Sequence, residues 1–143
     1  MESDPDISAK AVGRDMPVSP KFAREVVGMI RGLNAEDAAV MLEEVMEKKR
    51  PVPLKRYKKR VSHKAGVGPG RYPVKAAKAV LSVLQSAMSN AEYKGLDVDN
   101  MVISTISVSR GMVIPGHKPR AQGRATPWNQ ETVNIEVIIE EVE

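Results

Sequence analysis

Met101-Val-Ile-Ser-Thr-Ile-Ser-Val-Ser-Arg110 and Val133-Asn-Ile-Glu-Val-Ile-Ile-Glu-Glu-Val142 are the two stretches whose reading decides the fold. In each, apolar and polar residues alternate, the period of a strand with one buried face. Residues 111–132 between them contain Gly111, Pro115, Gly116, Lys118-Pro-Arg120, Gly123-Arg124 and Trp128, with one acid, Glu131, at the far end. A strand pair joined by so long a basic segment makes a poor hairpin for an isolated protein. It makes a sensible one if the segment enters a polyanion. At about 3.3 Å per residue, each limb of such an arm reaches roughly 30 Å beyond the sheet. The remaining chain then serves as the platform that holds it.

Upstream of the first strand, Pro73 opens the best helix of the chain. Ala77, Val80, Leu81, Leu84, Ala87, Met88 and Ala91 recur at spacings of three and four, and Gly95 follows Tyr93-Lys94 as a stop. Ser19-Pro20 pairs a capping hydroxyl with Pro at the first helical position, and Phe22, Val26, Met29 and Ile30 share a face, with Gly32 as a left-handed cap. Asn34 caps a second helix. Glu36 and Asp37 lie in its first turn, Lys48, Lys49 and Arg50 in its last, and Ala38, Met41, Leu42 and Val45 form its buried stripe. Pro51 and Pro53 stop it. Ala9 to Val18 reads as a short edge strand, and residues 1–8 as a frayed lead-in. Residues 51–72 show no period and read as a loop. The expected fold is α+β, with three helices packed on a small antiparallel sheet and a long protruding β-hairpin. A single domain, 1–143, carries a basic loop at 51–72 and a hairpin arm at about 109–130.

Charge is segregated along the chain. The formal net charge is only +4, but Lys48 to Ala91 holds twelve Lys and Arg and no acid. Asn100 to Gln130 is again acid-free, with four basic residues. Such patches are the footprint of a polyanion partner. The absence of cysteine excludes a disulfide framework and thiolate metal sites. No apolar run approaches the roughly 18 residues that span a bilayer, and the N-terminus, Met1-Glu-Ser-Asp-Pro-Asp, is unlike a signal peptide. With aromatic residues at 3%, the core must be aliphatic.

Three stretches carry candidate chemistry. The first is Lys55-Arg56-Tyr57-Lys58-Lys59-Arg60 with His63 and Lys64, a charge run that repels itself without a counter-charge. Its alternatives are a solvated surface and a phosphate-neutralising surface that releases counterions. The second, Gly66-Val-Gly-Pro-Gly-Arg71, is not a nucleotide loop. No Gly-Lys-Ser/Thr follows, and Pro69 removes a donor where a cradle needs N–H groups. Close approach to RNA and plain flexibility both fit it. The third is the arm. Met112, Val113 and Ile114 either fold back on the core or bend into a tip with Gly111, Pro115 and Gly116. Trp128, the single Trp, either stacks on a base or wedges the base of the hairpin. Catalysis finds no support. His63 and His117 sit among basic residues, and no paired carboxylates or metal-ligand spacing occur, so no catalytic residue, metal or cofactor is expected. The acids of the second helix form a solvated face.

Ser19-Pro20-Lys-x-Ala-Arg, Ser89-Asn-Ala-Glu92 and Lys118-Pro-Arg-Ala-Gln-Gly-Arg-Ala125 occur in this order. Together they resemble the universal large-subunit ribosomal protein family numbered twenty-two, seventeen in eukaryotic naming. The resemblance runs from about Ala9 to Glu141. The Pro51-Val-Pro segment with its basic loop, Asp97-Val-Asp and the acidic C-terminal stretch look archaeal. The resemblance implies a non-enzymatic structural protein of the cytoplasmic ribosome. Its partners would be large-subunit rRNA, neighbouring large-subunit proteins and, transiently, the nascent peptide, with no membrane. It implies that Lys118, Arg120 and Arg124 grip RNA along the hairpin. It also implies that a tip, mapped to Gly111, Met112, Val113, Ile114, Pro115 and Gly116, lines the exit tunnel. With the charge reading, the RNA-binding set becomes Lys55, Arg56, Lys58, Lys59, Arg60, His63, Lys64, Arg71, Arg110, Lys118, Arg120 and Arg124. The alternative is a free-standing nucleic-acid-binding regulator, which requires a recognition helix reaching base edges; the 73–94 helix offers only Lys75, Lys78, Gln85 and Asn90.

Overall fold

The second of the two alternating stretches becomes the centre of the sheet. The structure is a computed structural model and describes residues 3–142. In chain order the elements are β1 (Ser8–Met16), α1 (Pro20–Ile30), α2 (Ala35–Met46), β2 (Val52–Pro53), β3 (His63–Lys64), β4 (Gly68–Arg71), α3 (Val74–Lys94), β5 (Met101–Arg110), β6 (His117–Pro119), β7 (Ala125–Pro127) and β8 (Val133–Glu141). The main sheet has the order β1-β8-β5, all antiparallel. Val133, Ile135, Val137 and Ile139 of β8 are fully buried, as the period-2 pattern requires. They meet Ala9 and Ala11 of β1, Met101, Ile103 and Ile106 of β5, and the helices above.

The helices cover one face of this sheet. α3 packs on β1 and β8, α1 on β5, and α2 on α3. α3 buries Ala76, Ala77, Ala79, Ala87 and Ala91 beside Val80, Val83 and Leu84. Alanine is the best helix former and lets backbones approach closely. Gly95, with φ 79°, ends α3 as expected. The outer edge of β1 is closed by two α3 side chains one turn apart. The Asn90 amide donates to the Lys10 carbonyl (2.8 Å) and the Lys94 ammonium to the Ser8 carbonyl (2.8 Å). One helical turn, about 5.4 Å, nearly matches two residues of strand, so one helix face serves alternate carbonyls.

Four expectations fail locally. Gly32 is left-handed at φ 79°, but the cap of α1 is Arg31, which is extended. Gly32 instead donates to the Ile103 carbonyl (3.2 Å), and Ile103 N–H donates back to Leu33 O (2.9 Å), so the α1–α2 link covers the edge of β5. α2 ends at Met46 with Glu47 as cap, leaving Lys48, Lys49 and Arg50 beyond its last turn. The surface pairs Arg50–Glu44 and Lys49–Glu47 add little there. Residues 51–72 are not a structureless loop: β2, β4 and β3 form a small antiparallel sheet in that order. Strands of two to four residues are too short to show a period. Residues 1 and 2 of the lead-in lie outside the described residues. From Asp4 onward the segment is tied down, with Ser8 Oγ donating to Asp4 O (2.6 Å) and Lys94 to Pro5 O (3.1 Å).

Candidate nucleic-acid interface

The arm is a continuous antiparallel ribbon with one break in register. β5 and β8 pair out to Arg110↔Val133, and Gly111 N–H donates to Thr132 O (2.8 Å). The next pair is Ile114↔Gln130, with both bonds at 2.9 Å. Three steps of the outgoing limb therefore face two of the return, a bulge at Met112-Val113. Beyond it, Trp128 N–H donates to Gly116 O (2.7 Å), β6 pairs with β7, and Arg120 N–H donates to Arg124 O (2.8 Å). A Cβ on Gly116 would lie 2.8 Å from the Trp128 carbonyl oxygen, so only glycine lets the limbs close there. The turn is Ala121–Gly123, with Gln122 at φ 64° and Gly123 at φ 69°.

This geometry corrects the location of the tip. Gly111, Met112, Val113, Ile114, Pro115 and Gly116 are the lower part of the outgoing limb. The tip is Arg120–Arg124, carrying two guanidinium groups with Lys118 just below. Met112, Val113 and Ile114 do not fold back on the core; they are 64%, 46% and 47% exposed. Trp128 is no wedge either. It is 65% exposed, with the Lys118 ammonium 4.6 Å from its ring centroid.

The root of the arm is held by a residue whose role the sequence did not reveal. β1 has its own bulge between Gly13 and Met16, where Asp15 sits at φ 50°. Asp can occupy this left-handed region because its short side chain bonds locally. Its carboxylate accepts from the Met112 N–H (3.1 Å), and its own N–H donates to Asn134 Oδ1 (3.0 Å). The Thr132 hydroxyl, almost fully buried, donates to Met112 O and lies 3.4 Å from the same carboxylate oxygen. A Cβ on Gly111 would come within 2.6 Å of Asp15 Oδ1 and 2.7 Å of Thr132 Oγ1. Two bulges thus interlock, and the carboxylate of one satisfies the loose N–H of the other.

The 51–72 segment presents Lys55, Arg56, Lys58, Lys59 and Arg60 to solvent. Its backbone is nevertheless pinned: the Glu25 carboxylate of α1 accepts from both Lys55 N–H (3.2 Å) and Arg56 N–H (2.9 Å). That acid supplies the counter-charge missing from the segment itself. His63 is exposed on β3. Lys64 is half-buried, its ammonium 5.5 Å from the Tyr72 ring. Arg71 lines a cleft of about 290 Å³ with Lys21, Phe22 and Arg56.

α1 joins this segment to the arm. Lys21 lies over the Tyr57 ring (4.5 Å), and Lys21, Arg24, Tyr57 and Arg110 line one narrow cleft. Arg56 and Arg71 on one side and Arg110 on the other are therefore joined through Lys21 and Tyr57. Lys118, Arg120 and Arg124 stand apart from them at the other end of the arm. Lys21 and Arg24 join this surface only in the folded chain. Their signal was present, two cations three apart on the face opposite Val26 and Ile30.

Acids gather elsewhere. Glu36 at the start of α2 has its carboxyl raised above the usual range. The Asp99 charge is the main cause, followed by a hydrogen bond to Asp99, desolvation, and Asp37 and Asp97. A raised pKa means that the charged form costs stability above it, and that protonation relieves this cost as pH falls through it. Glu36→Gln should therefore raise the melting temperature at neutral pH, with the gain fading into acid. Thermal scans from neutral pH to below the carboxylate range check the sign. Among the described residues, no group of acids and histidines is placed to hold a metal ion, and no helix is long and apolar enough to cross a membrane.

Comparison with known proteins narrows the polyanion. The model of the family described as ribosomal protein L22p/L17e matches residues 11–140. The large ribosomal subunit protein uL22 of Methanocaldococcus jannaschii is 48% identical, covering 99% of this chain and 92% of that protein. The protein of the same name from Methanothrix thermoacetophila is 50% identical over 94% of this chain and 90% of its own length. The Archaeoglobus fulgidus protein is 49% identical over 93% and 88%. The match takes in both basic surfaces, the three helices and the whole arm, and the chain belongs to the ribosomal protein L22p/L17e family, structural non-enzymatic proteins of the large ribosomal subunit, in a form similar to the archaeal members.

Proposed function

We propose that the chain binds large-subunit rRNA through two basic surfaces, aids its folding during assembly, and places the far end of its hairpin at the wall of the nascent-peptide tunnel. The observation that carries this is the arm. Met112 to Glu131 is exposed apart from half-buried Gly116, Glu131 at its root is paired with Arg110 (3.2 Å), and everything beyond is acid-free. An arm so exposed, apolar at Met112–Ile114 and cationic at Lys118, Arg120 and Arg124, is suited to burial in RNA. The loop cations with Lys21, Arg24 and Arg110 anchor the platform, and Lys118, Arg120 and Arg124 hold the distal ribbon. Neighbouring large-subunit proteins complete the surroundings, in the cytoplasmic ribosome. The turn Arg120–Arg124, rather than Gly111–Gly116, is the part that would meet the nascent peptide. A photo-cross-linker at Gln122 in assembled subunits should capture rRNA and, during translation, a nascent chain, whereas one at Met112 should capture rRNA alone. Capture of neither from Gln122 would overturn the reading. The regulator alternative is weakened, because the Asn90 amide is spent on the β1 edge and, of the four candidates, only Lys75, Lys78 and Gln85 remain on the exposed face of α3 to reach base edges.

A further inference from the structure

We propose that the cleft between the arm root and the platform holds one unpaired RNA nucleotide, its base stacked on Trp128. This rests on the rRNA-binding reading and deepens it. The cleft has a volume of about 630 Å³ and runs between Val18, Ser19 and Lys75 on the platform and Ile114, Trp128 and Gln130 on the arm. That volume lies within the roughly 300–1,000 Å³ typical of small-ligand sites.

Its chemistry selects the occupant. Trp128 offers a flat apolar surface, and Lys118 covers one of its two faces, leaving the other for a base. Ile114 extends that apolar wall and is itself 47% exposed. Glu131 is the one acid lining the cleft, and Arg110 neutralises it. Lys75 faces it from α3 and enters no ion pair among the described residues. The field in the cleft therefore favours an anion. The side-chain amides of Asn129 and Gln130 and the Ser19 hydroxyl make no hydrogen bonds among the described residues. They are free to meet the edge of a base. An apolar plane, a free cation and spare amides match a nucleotide, whose base has π faces and polar edges. In a duplex those faces are stacked and unavailable, so the occupant is unpaired.

Trp128 is the single Trp of the chain, so its emission reports on this cleft alone. The full-length protein is titrated with a short oligoadenylate and with an abasic oligomer of equal phosphate number. The expected result is quenching by oligoadenylate and binding without quenching by the abasic chain. Trp128→Ala should weaken oligoadenylate binding about 10-fold and leave abasic binding unchanged, while Trp128→Phe should retain most of the affinity. Lys75→Ala, on the opposite wall, should weaken both oligomers about 3-fold. Trp128 is outside the core, so an unchanged unfolding midpoint accompanies each result. Equal quenching by the two oligomers, or wild-type oligoadenylate affinity in Trp128→Ala, overturns the cleft assignment while RNA binding stands. Failure of both oligomers to bind overturns the RNA reading itself. Quenching by ribosomal proteins freed of RNA, with none by oligoadenylate, assigns the cleft to protein and also overturns the proposal.

Discussion

Asp15→Ala frees the arm from the sheet: the Gly111 and Met112 amides lose hydrogen-exchange protection, and the melting temperature falls by about 3–8 °C. Two effects add in this variant. The Met112 N–H loses its acceptor, and alanine must adopt the left-handed backbone that aspartate tolerates at φ 50°. For an exposed carboxylate, together they cost about 1–2 kcal/mol. Two further variants separate them. Asp15→Asn keeps both an acceptor oxygen and a tolerance for that backbone, so it should lie close to the parent. Asp15→Gly relieves the backbone but still loses the acceptor, and should fall between. Gly111→Ala should be as damaging as Asp15→Ala, because its Cβ enters the space of Asp15 Oδ1 and Thr132 Oγ1. Unchanged amide exchange in both Asp15→Ala and Gly111→Ala would show that the ribbon pairing alone directs the arm.

Removing Lys58, Lys59 and Arg60 together, each to Ala, should weaken binding to large-subunit rRNA on the order of 100-fold at about 0.1 M salt. The slope of log affinity against log salt should fall by about 2–3 at the same time, since roughly 0.7–0.9 of a counterion is released per phosphate contact. These three side chains are exposed and hydrogen-bond nothing among the described residues, so stability should stay within about 0.5 kcal/mol of the parent. The contrast between lost affinity and unchanged stability distinguishes an RNA surface from a merely solvated charge run. An unaltered salt slope would assign the charges to solvent.

What the sequence made legible follows from the size of each signal. β5, β8, α2 and α3 each run nine residues or more, long enough for a period to declare itself. β2 and β3 are two residues long and owe their pairing to β4, which no local pattern encodes. The run of Gly, Pro and apolar residues at 111–116 mimics a bend, so sequence alone suggests a tip there. A hairpin must turn midway between its paired strands, and Arg110↔Val133 places that midpoint at Ala121–Gln122. The equal lengths of the two limbs define that turn, and Gly123 is its left-handed residue. Asp15 gave a weaker hint, an acid inside a strand, where a bulge is one way to accommodate it. The loop cations stand out by composition alone. Lys21 and Arg24 escaped because two charges on a helix surface are common, and only the packing of α1 beside Tyr57 and Arg110 sets them apart.

The central position of β8 has a consequence for the newborn chain. A ribosome makes β1 and β5 before the strand that joins them, and those two never pair with each other. Until residues 133–141 emerge, each waits with unsatisfied backbone groups on the side β8 will occupy. β5 finds β8 by zipping down from the turn at Ala121–Gly123, a local event. β1 must be reached across nearly the whole length of the chain, from Ser8 to Glu140, a slow non-local closure. α2 and α3 have both been synthesised by then, and the α3 face that carries Asn90 and Lys94 offers a surface on which β1 can wait. The sheet is therefore born last and sealed by its middle strand, and a chain interrupted before Val133 would carry both limbs of the arm with no central strand to root them.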